Sequence, residues 1–206
     1  MNWFAMGLGE AQISDTVCRI MPVKPDLQPV WRIGHGYDLH RLEPRPPKGQ
    51  GRPFIIAGVV FDDHPSGPIS HSDGDAVYHA VTDAILGALA MPDIGQLFPD
   101  DAPSNRGADS AIFLREAVGR MAALGYVLGN LDVTVICERP KLSSRKDEMI
   151  ANLAGLLRCD RSQVNLKGKT HEKVDAVGEG RAVEVHAIAL LSQGGRQPGT
   201  LRSAHV

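Results

Sequence analysis

Cysteine is scarce in this chain, which argues against a disulfide-stabilised fold and against a thiolate metal site. Three cysteines occur among 206 residues, at Cys18, Cys137 and Cys159, and none of them forms a Cys-x-x-Cys motif. An odd number of widely separated cysteines is typical of reduced thiols. We therefore expect a cytoplasmic protein.

The chain also lacks a long apolar run and a surplus of either charge. No segment approaches the roughly 18–20 uninterrupted apolar residues of a membrane helix, and the formal net charge is −2. Such a balance gives no overall basic surface for DNA or RNA. We expect no membrane partner and no nucleic-acid partner. With 43% hydrophobic and 22% charged residues, the chain has the composition of a globular domain.

The two ends differ from the rest of the chain. Residues 1–29 mix acidic residues with three prolines and have neither the basic start nor the apolar run of a secretory signal. We expect residues 1–29 to be a disordered extension and the Gly- and Gln-containing residues 192–206 to be a disordered tail. Residues 30–191 then form a single domain.

Within that domain, strand-like and helix-like segments alternate. Apolar or alternating runs predict strands at 54–61, 131–137, 163–167 and 182–191. Helices are predicted from about 75 to 90, from Asp109 or Ser110 to just before Gly125, and from Ser144, with a capping box, to about 158. We predict an α+β fold, a single mixed β-sheet with helices on one face. The other face would then pack against other subunits.

Two clusters of His and Asp carry the strongest chemical signal. Asp38 and His40 are two residues apart in a strand-like stretch, so their side chains point to the same side. His79, near the start of the first predicted helix, would complete an Asp/His/His set with a fourth position left open. That set is typical of a catalytic zinc site. His35 and His71 compete as third ligands, and spacing does not choose between them; His35, expected on the opposite side of the strand, is the weakest.

The pattern of the first predicted helix supports a functional role for His79. His79 and Asp83 lie on a different face from the apolar stripe, so we interpret His79 as something other than a core histidine. Asp83 is expected to orient the imidazole or to contact substrate. The apolar stripe consists of Val77, Val81, Ala84, Ile85 and Ala88.

The segment just before this helix is a second candidate for binding. His71 and Ser72 stand where backbone N–H groups favour an anion, which makes them candidates for phosphate contact. Asp73 or Asp75 is expected to cap the helix.

Lysine-rich segments follow two later strands. One contains Pro140, Lys141 and Leu142, and the other spans residues 167–173 with Lys, Gly, Thr and Glu. Such segments can present N–H groups and cations to phosphate, and a carboxylate to a divalent ion. Taken alone, they are more often solvated surface loops.

Together these motifs resemble the 2-C-methyl-D-erythritol 2,4-cyclodiphosphate synthase family of the non-mevalonate isoprenoid pathway. The matches recur in the family's order across residues 31–191. They are residues 32–40, 71–75, His79, 82–83, 93–95, 97–100, 107–110, 125–126, 130–134, 140–141, Lys167, Thr170 and Glu172.

The resemblance implies a cyclase that converts 4-diphosphocytidyl-2-C-methyl-D-erythritol 2-phosphate to the 2,4-cyclodiphosphate and CMP, a phosphorus–oxygen lyase reaction. It implies one Zn²⁺ per subunit, held by Asp38, His40 and His79, with a substrate phosphate in the fourth position. It also implies Mg²⁺ or Mn²⁺ bound by Glu172 with the substrate diphosphate. Thr170 would support the transition state.

The resemblance further implies a homotrimer with its sites between subunits. The catalytic His71 would hold phosphate together with Ser72, from a mobile loop. The other residues implied in substrate binding are Asp83, Asp93, Ile94, Gly95, Phe98, Pro99, Asp100, Asp101, Ala102, Cys137, Pro140, Lys141, Leu142, Ser143 and Lys169. Of these, Asp83, Asp93 and Asp100 would line a methylerythritol pocket, and residues 137–143 part of a cytidine pocket.

Two alternatives remain at this point. One is a zinc hydrolase acting on an anionic phosphate substrate, with the open metal position activating water. The other is a trimeric binding protein with a non-catalytic metal. The chain also departs from many relatives, which read Gly-Arg-Gly-Glu where it has Gly178-Glu179-Gly180-Arg181. The family's anion-holding role for that arginine is therefore not carried over to Glu179.

Overall fold

The computed structural model describes residues 30–99 and 102–194. Its strands are β1 (Trp31–Pro44), β2 (Ile55–Ile56), β3 (Val59–Val60), β4 (Ser66–Pro68), β5 (Tyr126–Ile136), β6 (Val164–Lys169) and β7 (Ala182–Gln193). Its helices are α1 (Ala76–Ala88), α2 (Ile94–Leu97), α3 (Ala111–Ala123), α4 (Lys146–Leu157) and α5 (Asp175–Gly178). Among these residues, no helix has the length and apolar character needed to cross a membrane.

Five strands form one mixed sheet in the order β4-β1-β7-β5-β6. Strands β5 and β6 run parallel, and the other neighbours are antiparallel. Strands β2 and β3 form a separate hairpin. The predicted α+β fold with a mixed sheet is confirmed.

The two faces of the sheet differ in character. On β7, Val183, Val185 and Ala187 face the helices and are buried, as expected for alternate residues of a strand covered on one side. The opposite face leaves large apolar side chains exposed, with Ile33 70% and Leu39 50% accessible. One side of the sheet therefore supplies the core, and no described residue covers the other.

Two glycines let α1 lie directly on β1. A Cβ atom at Gly34 would stand 2.0 Å from the carbonyl oxygen of Ala84, and one at Gly36 would stand 1.8 Å from that of Ala80. Only glycine permits such a main-chain approach. This contact brings the first turn of α1 down to the part of β1 that follows Gly36.

The apolar run at 54–61 is not the predicted single strand. It folds into the β2–β3 hairpin, with Ala57 and Gly58 at positive φ angles of 49° and 73°. The Asp75 carboxylate accepts hydrogen bonds from both turn N–H groups, at 3.0 Å and 2.6 Å. A distant carboxylate thus stabilises a turn that the local sequence does not indicate.

The ends of the elements agree in part with the predictions. Helix α3 starts after Ser110, and Gly125 follows it with a φ of 76°. The capping box predicted at Ser144 is wrong, because residues 143–145 form a 3₁₀ turn and α4 begins after Arg145 without a side-chain cap. Strand β7 continues to Gln193, two residues past the predicted domain boundary. Residues 1–29 and 195–206 lie outside the described part of the chain.

Candidate functional site

A group of three side chains forms at the junction of β1 and α1. Oδ2 of Asp38 lies 2.8 Å from Nδ1 of His40 and 3.2 Å from Nδ1 of His79. One ligand atom from each residue falls within 4.8 Å of the others. An aspartate and two histidines around one point match the donor set of a catalytic zinc site.

The donor atoms are also poorly satisfied within the chain. Among the described residues, Oδ2 of Asp38 and Nδ1 of His40 are buried and have no hydrogen-bond partner, although the two atoms lie 2.8 Å apart. Buried polar atoms are normally hydrogen-bonded. Their common direction and lack of partners fit a divalent cation between them.

Electrostatics in this group favour a charged carboxylate. Burial raises the pKa of Asp38, but the imidazoles of His40 and His79 outweigh that effect and hold the pKa at about 2. Burial lowers the pKa of His79, and the Asp38 carboxylate outweighs it in turn, so the net shift is upward. The carboxylate is therefore ready to bind a cation throughout the neutral range.

The structure separates the competing histidines. His35 lies on the opposite face of β1, where its Nε2 atom is 3.1 Å from Nδ1 of His186. His71 lines the pocket next to the three-residue group without joining it, and its buried Nε2 atom has no hydrogen-bond partner within the described part of the chain. Of the three candidates, only His79 shares the point defined by Asp38 and His40.

Asp83 does not orient the imidazole of His79, contrary to one of the two expectations. Its Oδ1 atom accepts a hydrogen bond from the Ile94 N–H at 2.8 Å, which fixes the start of α2. The Nε2 atom of His79 instead lies 2.8 Å from Oγ of Ser110 and 3.2 Å from Oγ of Ser72.

A pocket of about 420 Å³ opens beside the three-residue group. Of the predicted site residues, its lining includes Asp38, His40, His71, Ser72, His79, Ile94, Gly95 and Phe98. Sequence reasoning missed Asn105 and Phe113, which also line it. Both come from a later part of the chain with no local chemical signal, so only the tertiary fold reveals them.

Several predicted residues stand away from this lining. Asp93 caps α2 through the Gln96 N–H at 2.9 Å. Pro99, Ala102 and Asp83 are also absent from the lining. Asp100 and Asp101 lie outside the described residues.

A second pocket, of about 620 Å³, lies where β5 and β6 end. It brings together the predicted residues Cys137, Pro140, Lys141, Leu142, Ser143, Lys169, Thr170 and Glu172, and adds Glu138, Lys146, Leu166, Lys167 and Gly168. The Thr170 hydroxyl donates to Oε1 of Glu172 at 2.9 Å. Four lysines at one pocket suit an anionic ligand.

Burial makes the thiol in this second pocket a poor nucleophile. Burial raises the pKa of Cys137 to about 11, and the thiolate is the reactive form of cysteine. A neutral, buried thiol packs as a small apolar group instead.

The two pockets are separate within one chain. They share no lining residue, and β7 and β5 stand between β1 and β6 in the sheet. Three strand spacings of about 4.8 Å put β1 roughly 14 Å from β6.

A larger groove of about 1020 Å³ lies between the 60–66, 138–145 and 173–180 segments. Acidic and basic residues line that groove in equal number, and it does not touch the three-residue group.

The fold and the site together define an α+β protein with a candidate divalent-metal site and a separate pocket lined by four lysines. Residues 31–192 match the YgbB family, and the chain belongs to that family. The family resemblance inferred from the motifs is confirmed.

Named relatives agree with this assignment. A chloroplastic 2-C-methyl-D-erythritol 2,4-cyclodiphosphate synthase from Arabidopsis thaliana is 53% identical over 82% of this chain and 70% of its own length. A synthase of the same name from Proteus mirabilis is 49% identical over 78% of this chain and 96% of its own. A solved structure, IspF from Plasmodium falciparum in a CDP complex, is 40% identical with a TM-score of 0.68. The match covers 79% of this chain and 96% of that one.

Proposed function

We propose that this chain is a metal-dependent cyclase that converts 4-diphosphocytidyl-2-C-methyl-D-erythritol 2-phosphate to 2-C-methyl-D-erythritol 2,4-cyclodiphosphate and CMP. Membership of the YgbB family and the names of the relatives support this reaction. The observation that carries the proposal is the convergence of Asp38, His40 and His79 beside a pocket, with unsatisfied donor atoms at their centre.

The reaction needs no nucleophile from the protein. The substrate's 2-phosphate oxygen bonds to the β-phosphorus of the cytidine diphosphate arm, and the bond from that phosphorus to the CMP oxygen breaks. Such a transfer depends on positioning and on stabilising charge at the transferring phosphoryl group. The absence of a usable thiolate at Cys137 is consistent with this chemistry.

The metal centre would hold one end of the substrate. Asp38, His40 and His79 would bind Zn²⁺, which when present would stabilise negative charge on phosphate oxygens. His71 and Ser72 would contact the same phosphate, which is supported by their place in the lining of the 420 Å³ pocket. The buried, unpartnered Nε2 atom of His71 is available for such a contact.

The second pocket would hold the nucleotide end. Lys141 and Lys169 would balance the diphosphate charge, and residues 137–143 would surround the cytidine. Glu172 would bind Mg²⁺ or Mn²⁺ together with the diphosphate, and Thr170 would support the transition state. Their common place around one pocket supports this assignment.

The active assembly would be a homotrimer with each site shared by two subunits. The exposed apolar side chains on the uncovered sheet face, among them Ile33, Leu39 and Ile188, support burial against other copies. The separation of the two pockets within one chain supports a site built from the metal centre of one subunit and the nucleotide pocket of the next. A cytoplasmic location is supported by the free thiols of Cys137 and Cys159.

The product decides between cyclisation and hydrolysis. The purified chain, with zinc and magnesium, is given the proposed substrate, and the products are followed by ³¹P NMR. We expect CMP and a cyclic diphosphate in equal amounts. An open-chain phosphate product would instead identify a zinc hydrolase, and no release of CMP would indicate a binding protein.

A further inference from the structure

Ser110 occupies a helix N-cap but does not act as a cap. Serine at this position normally accepts a hydrogen bond from the N–H of the second or third helical residue, and the Ser110 side chain makes none. The Asp109 carboxylate accepts from the Ala111 N–H at 2.8 Å instead. Ser110 is fully buried, with 0% of its surface accessible. Its hydroxyl therefore serves another purpose.

That hydroxyl joins His79 to a carboxylate. Oγ of Ser110 lies 2.8 Å from Nε2 of His79 and is also hydrogen-bonded to Oδ1 of Asp73. Asp73 is held in place by the N–H groups of Ser110 and Asp75, at 3.2 Å and 3.1 Å. His79, Ser110 and Asp73 thus form a hydrogen-bonded series, and the Asp73 carboxylate at its end is held in place as the hydrogen-bond acceptor.

The chemistry of the three groups sets the direction of these hydrogen bonds. An ionised carboxylate only accepts, so the Ser110 hydroxyl donates to Asp73. Two serine oxygens lie near Nε2 of His79, Oγ of Ser110 at 2.8 Å and Oγ of Ser72 at 3.2 Å. The nearer oxygen, that of Ser110, then accepts, which places a proton on Nε2 of His79. The lone pair is left on Nδ1, the nitrogen 3.2 Å from Oδ2 of Asp38.

We propose that Ser110 and Asp73 are positioning residues that hold His79 in its Nε2–H tautomer, with Nδ1 directed at the metal. Histidine ligands generally donate their second N–H to a carboxylate or carbonyl, which fixes the ring and makes it a better donor to the metal. Here a buried serine passes that role to Asp73. The inference rests on the proposed metal centre.

The test compares Ser110→Ala with a matched control, Thr82→Val. Thr82 is a fully buried hydroxyl on α1 whose hydrogen bond goes to the Tyr78 carbonyl at 2.7 Å, and it makes no hydrogen bond with His79. Zinc affinity is measured by competition with a chromophoric chelator. We expect Ser110→Ala to weaken zinc binding about 10- to 100-fold, and Thr82→Val to leave it within about twofold.

Two further measurements separate positioning from general loss of stability. In zinc-loaded protein, long-range ¹H–¹⁵N NMR should show the His79 proton on Nε2, exchanging faster in Ser110→Ala than in Thr82→Val. Asp73→Asn replaces one accepting carboxylate oxygen with an amide NH₂, so it should weaken zinc binding several-fold. If Ser110→Ala fails to fold, the zinc affinity of Asp73→Asn tests the inference in its place.

Each outcome is decisive. A proton found on Nδ1, or equal zinc affinity in Ser110→Ala and Thr82→Val, overturns the inference and leaves the metal centre intact. A wild-type chain that binds no zinc refutes the metal centre itself, and the inference with it.

Discussion

At the scale of single residues, Asp38 is the centre of the candidate metal site, because the imidazoles of His40 and His79 both contact its Oδ2 atom. The strand period predicts that Asp38 and His40 share a side, and the structure agrees. Spacing left His79, His35 and His71 open as third ligands. The same period places His35 on the opposite face of the strand and so excludes it as a ligand. The choice between His79 and His71 depends on the tertiary contact of α1 with β1.

Removing His79 should abolish metal binding and turnover. We expect His79→Ala to lose zinc and to lower kcat/KM at least about a thousandfold, since a ligand and its charge stabilisation are both lost. Metal analysis and the CMP-release assay check this. His35→Ala, which changes a histidine on the other face of β1, should keep its zinc. Full activity in a verified zinc-free His79→Ala protein would contradict the assignment.

Lys141 should matter for the nucleotide and not for the metal. We expect Lys141→Ala to weaken CMP binding roughly tenfold, through loss of one charge-assisted contact, with unchanged zinc content. Isothermal titration with CMP measures this. Lys48→Ala, a charge removal in the 45–53 loop, is the control. Equal CMP affinity in Lys141→Ala and wild type would refute the assignment of Lys141 to the nucleotide pocket.

Asp38 should also make the metal-free chain sensitive to acid. Its pKa is about 2 in the folded chain, below the ordinary value of 3.8, so its stabilising effect is present above pH 3.8. It is lost as the pH falls from 3.8 through about 2. The difference corresponds to about 2 kcal/mol. Urea unfolding of metal-free protein between pH 5 and 2 should show a steeper loss for wild type than for Asp38→Asn, and parallel curves would contradict this.

At the scale of elements, the sequence predicts helices and strands whose patterns are local. It misses the elements that are stabilised by residues far away in the sequence. The apolar stripe of α1 and Gly125 after α3 are local signals, and both helices appear close to the predicted bounds. The β2–β3 turn depends on Asp75, which lies outside the hairpin. Ser110 was a candidate cap, yet its hydroxyl is turned toward His79. No local sequence pattern predicts which of these two partners the Ser110 hydroxyl will bond.

Helix α1 should not tolerate a methyl group between itself and β1. We expect Gly36→Ala to destabilise the chain by about 3 kcal/mol or more, because the new Cβ would meet main-chain atoms that cannot move aside. Zinc affinity should fall as well, since His79 would be displaced. Urea unfolding and zinc titration measure the two effects.

A glycine within α3 supplies the matched control. Gly119→Ala has nothing within 4 Å of the new Cβ, and alanine is the better helix former, so this change should stabilise by about 0.5–1 kcal/mol. Similar unfolding midpoints for Gly36→Ala and Gly119→Ala would contradict the close packing of α1 on β1.

At the scale of the whole molecule, the separation of the two pockets makes the assembly testable. In the proposed trimer, a chain without its metal centre still offers a nucleotide pocket, and a chain without that pocket still offers a metal centre. Mixing the two inactive chains should therefore rebuild complete sites at some interfaces. This is a property of shared sites in symmetric oligomers.

Mixed trimers of His79→Ala and a nucleotide-pocket variant that is inactive alone, such as Lys141→Glu, should regain activity. Random assembly at equal amounts completes about a quarter of the sites, so we expect about a quarter of wild-type specific activity after joint unfolding and refolding. Each variant refolded alone is the control. Activity no greater than the sum of those controls would place the whole site within one chain.

Strand β1 presents two sets of side chains with different roles at alternate positions, one on each face of the sheet. Asp38 and His40 point to α1, while Tyr37 and Leu39, at the alternate positions, point to the uncovered face. A substitution alters one set and spares the other. An insertion or deletion of a single residue before Tyr37 would exchange the two sets, sending the metal ligands outward and the apolar side chains into the site. The register of β1 is therefore constrained more tightly than the identity of its outward-facing residues, because one inserted or deleted residue displaces both sets at once.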